Sequence, residues 1–419
     1  LKILLVSWKG EGAWFVWLMR HEGHDVEWTV AHEEMSNSME GLIPPPRKRA
    51  NPKDYDLIVF DCTEQGEAAE EAKLSGVPVI GDSALSDKLE DDRLFGIQAM
   101  EEFGIKVPPY ECFNNPKEAI VWLQKNHKRC VLKPLGDAPS EMTYVGKNEQ
   151  DMIQFIEKRL PGSGVTEFLL QEFVAGTEVS TEGWWTGTEW CAVNYTLEEK
   201  KFMAGGLGPN TGCAGNVLWM PPRETPLFQQ GLKKISPLLV DAGYRGMLDL
   251  NTIVTEGDVY GLEWTPRFGY EGTCNLTRLL PVEFGEFLHS VASGVTPPNL
   301  TPRSRFAATI RLSVPPYPMH DVPKKLRAHQ PIKGLDEQRL DTFFVFDVQK
   351  KDDDLVVCGE GNVGTPIGTS ESLRGAFDEV LAAIKKLDIP DLQYRCDVPE
   401  CVEKRYTTLQ NQGWLKPLG

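Results

Sequence analysis

Asp249, Glu263 and Arg267 are the residues whose types and spacing most directly suggest chemistry. They lie in one run, Arg245 to Gly269, which reads R-G-M-L-D-L-N-T-I-V-T-E-G-D-V-Y-G-L-E-W-T-P-R-F-G. Met247 to Val254 is apolar-rich, Glu256-Gly257-Asp258 has turn composition, and Val259 to Trp264 is extended again. The run therefore predicts two antiparallel strands joined by a tight turn. Each strand carries one carboxylate, and pairing would bring the two close. Two carboxylates on neighbouring strands make a hard-oxygen site suited to Mg²⁺ bridging nucleotide phosphates. An ordinary hairpin with two surface acids fits this stretch equally well.

Strand and helix signals elsewhere must position these residues. Lys2 to Val6, Val26 to Val30, Asp56 to Phe60 and Val77 to Ile80 read as strands, with helices predicted over Ala13 to Glu22 and Glu67 to Leu74. That alternation predicts an open parallel sheet whose ligands would sit near Lys9 to Gly12 and Asp61 to Gly66. Gly10 and Gly12 fit a phosphate loop or a plain tight turn. Further helices are expected over Asp91 to Phe103, Asp151 to Arg159, Leu227 to Ala242 and Phe284 to Ser293. Cys130 to Pro134 predicts a strand carrying Lys133, and Phe168 to Phe173 another. Leu207 to Gly215 is rich in Gly, Pro, Asn and Thr and predicts a loop. Prolines 297, 298 and 302 mark a boundary, beyond which a smaller, mostly β unit with one helix, Leu373 to Leu387, is expected.

The 419 residues suffice for several domains, and 25% charged with 41% hydrophobic residues is a soluble globular composition. A net charge of −17 opposes binding to a phosphate backbone, so no nucleic-acid partner is expected. Nine cysteines without paired spacing suit a reducing cytoplasm and no zinc site. Neither a signal peptide nor a membrane span is predicted.

In chain order, Lys133, Q-E-F-V-A-G-T-E-V-S from Gln171, Gly208-Pro-Asn-Thr-Gly212 with Gly215, and Glu263 to Gly269 resemble motifs of the ATP-grasp fold. Within it they resemble the phosphoribosylamine–glycine ligases, whose corresponding motifs are E-E-F-L-x-G-x-E-x-S, G-P-N-T-G-G-M-G and E-F-N-x-R-F-G. Pro316-Tyr-Pro318, Pro331 to Gly334 and Gln393 to Asp397 extend the resemblance towards the C-terminus. It implies an α/β chain, α+β in its central part, with three units. These are a Rossmann-like parallel-sheet domain (1–85), an ATP-grasp domain (86–300, with a lid over about 109–172) and a small mostly-β C-terminal domain (301–419).

The resemblance also implies roles. Lys133 would meet the α/β-phosphates, and Arg93 would stand where the family has a Lys. Gln171, Glu172, Phe173 and Val174 would form the adenine linker, and Glu178 would hold the ribose. Asp249, Glu263 and Thr265 would hold Mg²⁺ (or Mn²⁺) with ATP, Thr265 replacing the family's Asn. Arg267, Asn210, Thr211 and Lys201 would act on the carboxylate and its acyl phosphate. Lys200 and Lys201 fit the family's basic pair or a solvated turn. Gly208, Gly212, Gly215, Lys9, Gly10 and Gly12 would line the substrate sites. The implied activity is an ATP-dependent ligase joining a small amino acid, glycine foremost, to an amine. Its partners would be small molecules, and it would act as a monomer or homodimer.

Departures cluster at the amine site. The family's G-x-G-x-R-E-H-A is Ser7-Trp-Lys-Gly-Glu-Gly-Ala-Trp14 here, its G-P-E is Asp61-Cys-Thr-Glu64, and its glycine-rich phosphate loop is Pro134 to Glu141. The Arg93 helix also resembles one in carbamoyl phosphate synthetases. An amine other than phosphoribosylamine is therefore expected. A true glycinamide ribonucleotide synthetase and a non-catalytic nucleotide binder are the alternatives. Trp8 and Trp14 flank the first loop and fit either the core or a ring-stacking pocket.

Overall fold

The alternating strands and helices at the start of the chain build a parallel sheet in the computed structural model, which describes residues 1–32, 37–136 and 142–418. Strands β1 (Lys2–Ser7), β2 (Asp25–Val30), β3 (Leu57–Phe60) and β4 (Val79–Ile80) pair in the order β2-β1-β3-β4. Their alternation divides the faces. Ile3 and Leu5 join the main core with α1 (Ala13–His21), while Leu4, Ile58 and Phe60 cluster with Ala69 and Ala72 of α2 (Gly66–Lys73). Trp14 is fully buried and its indole N–H donates to the Leu340 carbonyl at 2.9 Å, so it is a core residue. Trp8 is half-buried against His32.

The helix expected over 91–103 is a single helix starting two residues later, with a separate helix before it. Asp91 closes α3 (Ala84–Asp91), and Asp92 caps α4 (Arg93–Glu102) by accepting from the Phe95 N–H at 3.0 Å. The next unit has its own sheet, β5 (Tyr110–Phe113), β6 (Cys130–Pro134), β7 (Tyr144–Val145) and β8 (Phe168–Glu172), in the order β5-β8-β6-β7. Helices α5 (Pro116–Asn126) and α6 (Glu149–Lys158) cover it, and Leu123, Leu132, Met152, Ile156 and Phe168 form a separate core. Residues 137–141 of the Gly-poor loop fall outside the described residues.

The site is built on a nine-stranded sheet. It contains β9 (Thr177–Trp185), β10 (Trp190–Met203), β11 (Leu207–Trp219), β12 (Gly246–Val254) and β13 (Val259–Thr265). From the C-terminal region come β14 (Phe306–Ile310), β15 (Leu312–Ser313) and β20 (Asn362–Ser370), with β17 (Phe343–Val345) pairing β20. The main path runs β13-β12-β9-β10-β11-β14-β20-β15. Beside it, β16 (Pro331–Ile332), β18 (Val348–Lys351) and β19 (Asp354–Val357) form a small antiparallel sheet. The sheet thus crosses the Pro-rich boundary near 300 through the β11–β14 ladder.

Three expectations need correction. The predicted loop 207–215 is the first half of β11. It pairs Leu207 with Met203 and Asn210 with Lys201 across register shifts, and Gly208 supplies the left-handed bend at φ 78°. The predicted helix over 227–242 is broken into α7 (Pro226–Gln230), a 3-10 turn (Leu232–Ile235) and α8 (Ser236–Asp241). Gly231 leaves helical geometry there, and Pro237 lacks the N–H a continuing helix would need. The C-terminal region has two long helices, α11 (Leu373–Ile384) and α12 (Val398–Asn411). Pro399 is tolerated in the first turn of α12, and Tyr406 sets its ring edge-on to Trp219.

One face of the central sheet is apolar. Leu248 and Leu250 of β12 are fully buried in the main core, with Leu227, Leu232 and Ile235. Helices α9 (Tyr270–Leu279) and α10 (Phe284–Ala292) follow β13, and α9 packs over β11 and β14. Leu248→Ala should lower stability by about 2–5 kcal/mol, read as a shifted urea midpoint. Leu74→Ala, at a position 89% exposed, should change it by no more than about 0.5 kcal/mol.

Candidate active site

The opposite face of the central sheet is polar, and strand register explains how. On β12 and β13, Asp249 stands opposite Thr265 and Asn251 opposite Glu263. On β9, Glu182 stands opposite Asp249 and Ser180 opposite Asn251. On β10, Asn194 lies opposite Glu182 and Thr196 opposite Ser180. Side chains two apart on a strand share a face. Two polar rows therefore cross four strands, Thr265-Asp249-Glu182-Asn194 and Glu263-Asn251-Ser180-Thr196. Asp249 and Glu263 are diagonal neighbours, as a hairpin pairing of the two strands implies.

These rows floor a cavity of about 850 Å³. Of the residues expected from the sequence, Lys9, Thr211, Gly212, Asp249, Glu263, Thr265 and Arg267 line it. A smaller recess of about 260 Å³ brings Arg93 beside Glu263, Thr265 and Arg267. Arg267 is steadied by its Nε donating to Glu90 Oε1 at 2.8 Å, and Arg93 Nε donates to the Pro134 carbonyl at 3.0 Å. Lys133 reaches from β6 to this junction, its Nζ 3.4 Å from the Leu262 carbonyl.

Residues 171–174 lead from β8 towards β9. The Gln171 amide reaches the Pro108 carbonyl, and the Glu172 and Phe173 N–H groups donate to Pro109 O (2.7 Å) and Arg129 O (2.9 Å). The Arg129 guanidinium lies 3.5 Å over the Phe173 ring, and Val174 follows half-buried. Both N–H groups are thus engaged within the protein.

Other expected residues sit away from the cavity lining. Of the basic pair, Lys200 faces the cavity and Lys201 does not; the Lys201 carbonyl accepts from Arg395 Nη1 at 3.0 Å. Asn210 and Gly208 are exposed on the outer part of β11. Gly215 is where β11 meets β14, with no room for a side chain, since a Cβ would stand 2.9 Å from the Thr309 carbonyl. Gly10 has φ 99°, and a Cβ on Gly12 would overlap the Asp61 carboxylate, so both glycines serve the backbone of the first loop.

The sequence reading missed Glu182, Glu198, Asn216, Asn251, Glu271 and Arg311, all of which line the cavity. Arg311 forms a buried ion pair with Glu271, and its Nη1 donates to Tyr317 Oη at 2.8 Å. The available signal was the alternation Glu178-x-Ser180-x-Glu182 and Thr196-x-Glu198-x-Lys200.

The charges are arranged around Lys200. Burial pulls its ammonium down, but Glu178, Glu198 and Glu263 outweigh this and hold it above its ordinary pKa. Lys200 Nζ contacts Glu178 Oε1 at 2.9 Å, and Asn251 Nδ2 donates to the same oxygen at 2.9 Å. Burial pushes Glu178 and Glu263 up, yet Lys200 and their other partners hold both below the usual carboxylate value. Burial, offset by Glu263, brings Lys133 down to about 8. Burial also raises Asp249, Glu182 and Glu198, which lack direct cation partners.

The donor set fits a shared divalent cation. Asp249 Oδ1 is buried without a hydrogen-bond partner, and Asp249 and Glu263 together supply two carboxylates. Among the described residues no group of three or more acidic, His or Cys side chains could hold a metal by itself. Mg²⁺ commonly binds through one or two carboxylates and takes its remaining oxygens from phosphates and water.

Comparison with known proteins matches residues 91–273 to the family described as phosphoribosylglycinamide synthetase, ATP-grasp (A) domain. The phosphoribosylamine–glycine ligase of Thermotoga maritima is 28% identical over 329 residues, covering 74% of this chain and 77% of its own. A trifunctional purine biosynthetic protein of Bos taurus is 24% identical over 77% of this chain and 33% of its own. The crystal structure of the Thermotoga maritima ligase superposes with a TM-score of 0.74 at 23% identity, covering 95% of this chain and all of that one. The biotin carboxylase domain of Hydrogenobacter thermophilus 2-oxoglutarate carboxylase, in complex with MgADP, ADP and bicarbonate, gives 0.62 at 12%, covering 98% and 95%. No helix among the described residues is long and apolar enough to cross a membrane.

Asp61, at the end of β3 under the first loop, yields a pH prediction. Its side chain is fully buried, and burial, opposed by Ser7 and Cys62, pushes its pKa from 3.8 to about 7. Between those values the folded chain binds more protons than the unfolded one, so this contribution is fully present below pH 4 and is lost as pH rises through 7. Asp61→Asn should remove that dependence. Urea midpoints of the variant, relative to the parent, should therefore rise between pH 5 and pH 8.

Proposed function

From a chain with the ATP-grasp fold that resembles the phosphoribosylamine–glycine ligases, we propose an ATP- and Mg²⁺-dependent ligase that joins a small amino acid to an amine. The observation that carries this reading is the meeting of Asp249, Glu263, Lys200 and Arg267 in one cavity, with Lys133 and Arg93 at its nucleotide end. In this reading the γ-phosphoryl group moves to the amino-acid carboxylate, and the amine nitrogen attacks the resulting acyl phosphate. An amide, ADP and phosphate leave. Most of the catalysis is positioning and charge stabilisation.

Mg²⁺ held by Asp249 and Glu263, with Thr265 beside them, would neutralise the phosphate charge. Lys133 supplies a point charge for the α- and β-phosphates, and Glu178 an acceptor for ribose hydroxyls. Arg267, fixed by Glu90, offers a planar fork to the carboxylate and its acyl phosphate. Lys200 takes the place first expected of Lys201. The nine cysteines are all free, which suits a reaction placed in a reducing cytoplasm.

Around the first loop and residues 320–360, the cavity lining carries Glu11, Asp321, Asp347 and Glu360 against Lys9, Arg327 and His320, the last paired with Glu360 at 3.0 Å. Like charge disfavours a phosphate monoester, which supports an amine other than phosphoribosylamine. The names of the relatives support the second reading, in which that amine is used. An ADP-release assay with amino acids against a panel of amines, phosphoribosylamine included, separates the two. Absence of any release that depends on an amino acid would overturn both.

Glu263→Gln should fold normally and lose turnover by on the order of 10²–10³. Lys200→Met should lose comparable activity while Lys201→Met retains it, which ADP release measures directly. Lys133→Ala should weaken ATP binding in calorimetry and leave AMP binding nearly unchanged, because AMP lacks the β- and γ-phosphates.

A further inference from the structure

Resting on the ligase reading of Lys200, we propose that Arg405 and Arg395, acting through Glu199, are positioning residues that turn Lys200 towards the cavity. Neither arginine lines the cavity; Arg395 precedes α12 and Arg405 lies within it. Along β10, Glu198 and Lys200 line the cavity, whereas Glu199 and Lys201 do not. Neighbouring side chains on a strand point to opposite faces. Holding Glu199 on the outer face therefore holds Glu198 and Lys200 on the inner one.

The ladders on either side of β10 become irregular here. Pairing of β9 with β10 ends at Ser180 and Thr196. Continued in the same register, Glu178 would face Glu198, and Arg405 spans that place. Its Nη2 donates to the Glu198 carbonyl at 2.7 Å, and its Nη1 lies 3.4 Å from the Glu178 carbonyl. On the other edge, the β10–β11 register shifts between Glu199 and Lys201 and again between Lys201 and Met203. Lys200 has no opposite residue in that ladder, and its carbonyl accepts from Thr211 Oγ1 at 2.8 Å. An irregularity of this kind can re-aim a side chain, so something must fix the direction.

Glu199 is the anchor. Its Oε1 accepts from Arg405 Nη2 at 2.7 Å, and its Oε2 lies 3.1 Å from Arg395 Nη1. Arg395 is 2% exposed, and the same Nη1 donates to the Lys201 carbonyl at 3.0 Å. Its Nε and Nη2 donate to the two Asp397 oxygens at 2.9 Å each, and Asp397 accepts from the Gly205 N–H at 2.8 Å. A planar fork can hold a carboxylate and a carbonyl at once. The two arginines thus grip β10 on both sides of Lys200, at Glu198 and Glu199 before it and at Lys201 after it.

The first test needs no turnover. Lysine acylation in the full chain, read by peptide mass spectrometry, reports whether Lys200 keeps its pairing with Glu178. Lys350, ion-paired with Glu337 from β18, is the reference. Arg405→Met and Glu199→Gln should each speed acylation of Lys200 relative to Lys350 by roughly threefold or more, because the neutral fraction changes tenfold per pKa unit. An unchanged ratio in both variants would overturn the clamp. The second test is kcat for ADP release in a double-mutant cycle. Arg405→Met should lower kcat about tenfold in the parent and less than about twofold in Lys200→Met, because it acts through that lysine. Equal losses in the two backgrounds would make Arg405 a support of the fold alone and sink the proposal. If circular dichroism shows that Arg405→Met does not fold, Glu199→Gln takes its place in the cycle. No ADP release by the parent would overturn the ligase reading, and the acylation ratio would still decide the clamp.

Discussion

Lys200 sits among Glu178, Glu198 and Glu263, and its contact with Glu178 at 2.9 Å is the one direct ion pair of the group. Removing several carboxylates from water is costly unless a cation shares the space. Lys200 meets that requirement for one end of the floor, where Glu178 and Glu263 are held below the usual carboxylate value despite burial. Deeper in, Asp249 and Glu182 are shielded from solvent without such a partner. The polar face is therefore balanced from within at Lys200, while burial raises the carboxyl groups beyond it.

That balance depends on pairing between strands far apart in sequence. β9 lies between β10 and β12, so Glu182 has Asn194 on one side and Asp249 on the other. A one-residue slip in either ladder would send these side chains into the apolar core. The core prevents that slip, because Leu248 and Leu250 would move to the polar face at the same time.

Sequence patterns revealed what lies within a single element. The 245–269 hairpin, the Lys133 strand and the parallel sheet could be read from alternation and turn chemistry. What they did not reveal is what depends on partners. Lys200 and Lys201 are adjacent, and only the bulged pairing of β10 with β11 decides which one faces the cavity. Composition argued for a loop at 207–215, but the ladder to β10 holds it extended. Glu182 and Glu198 look like solvated acids in isolation and are brought to the cavity lining only once the strands are assembled. Glycines 10 and 12 fit a phosphate loop or a tight turn in the sequence, and only the fold shows that Gly12 lets the first loop pass over Asp61.

The unbroken sheet from β13 through β14 to β20 has a mechanical consequence. Strands sharing a ladder cannot shear without breaking backbone hydrogen bonds, so the floor and the C-terminal wall move as one body. The β5–β8 unit has a separate sheet and a separate core. It is tethered on one side just after Lys106, whose carbonyl is pinned by the Gly261 N–H at 2.8 Å, and on the other through residues 173–176. Rotation about those two tethers would move Lys133 and its sheet relative to the cavity floor while the floor and its C-terminal wall keep their shape.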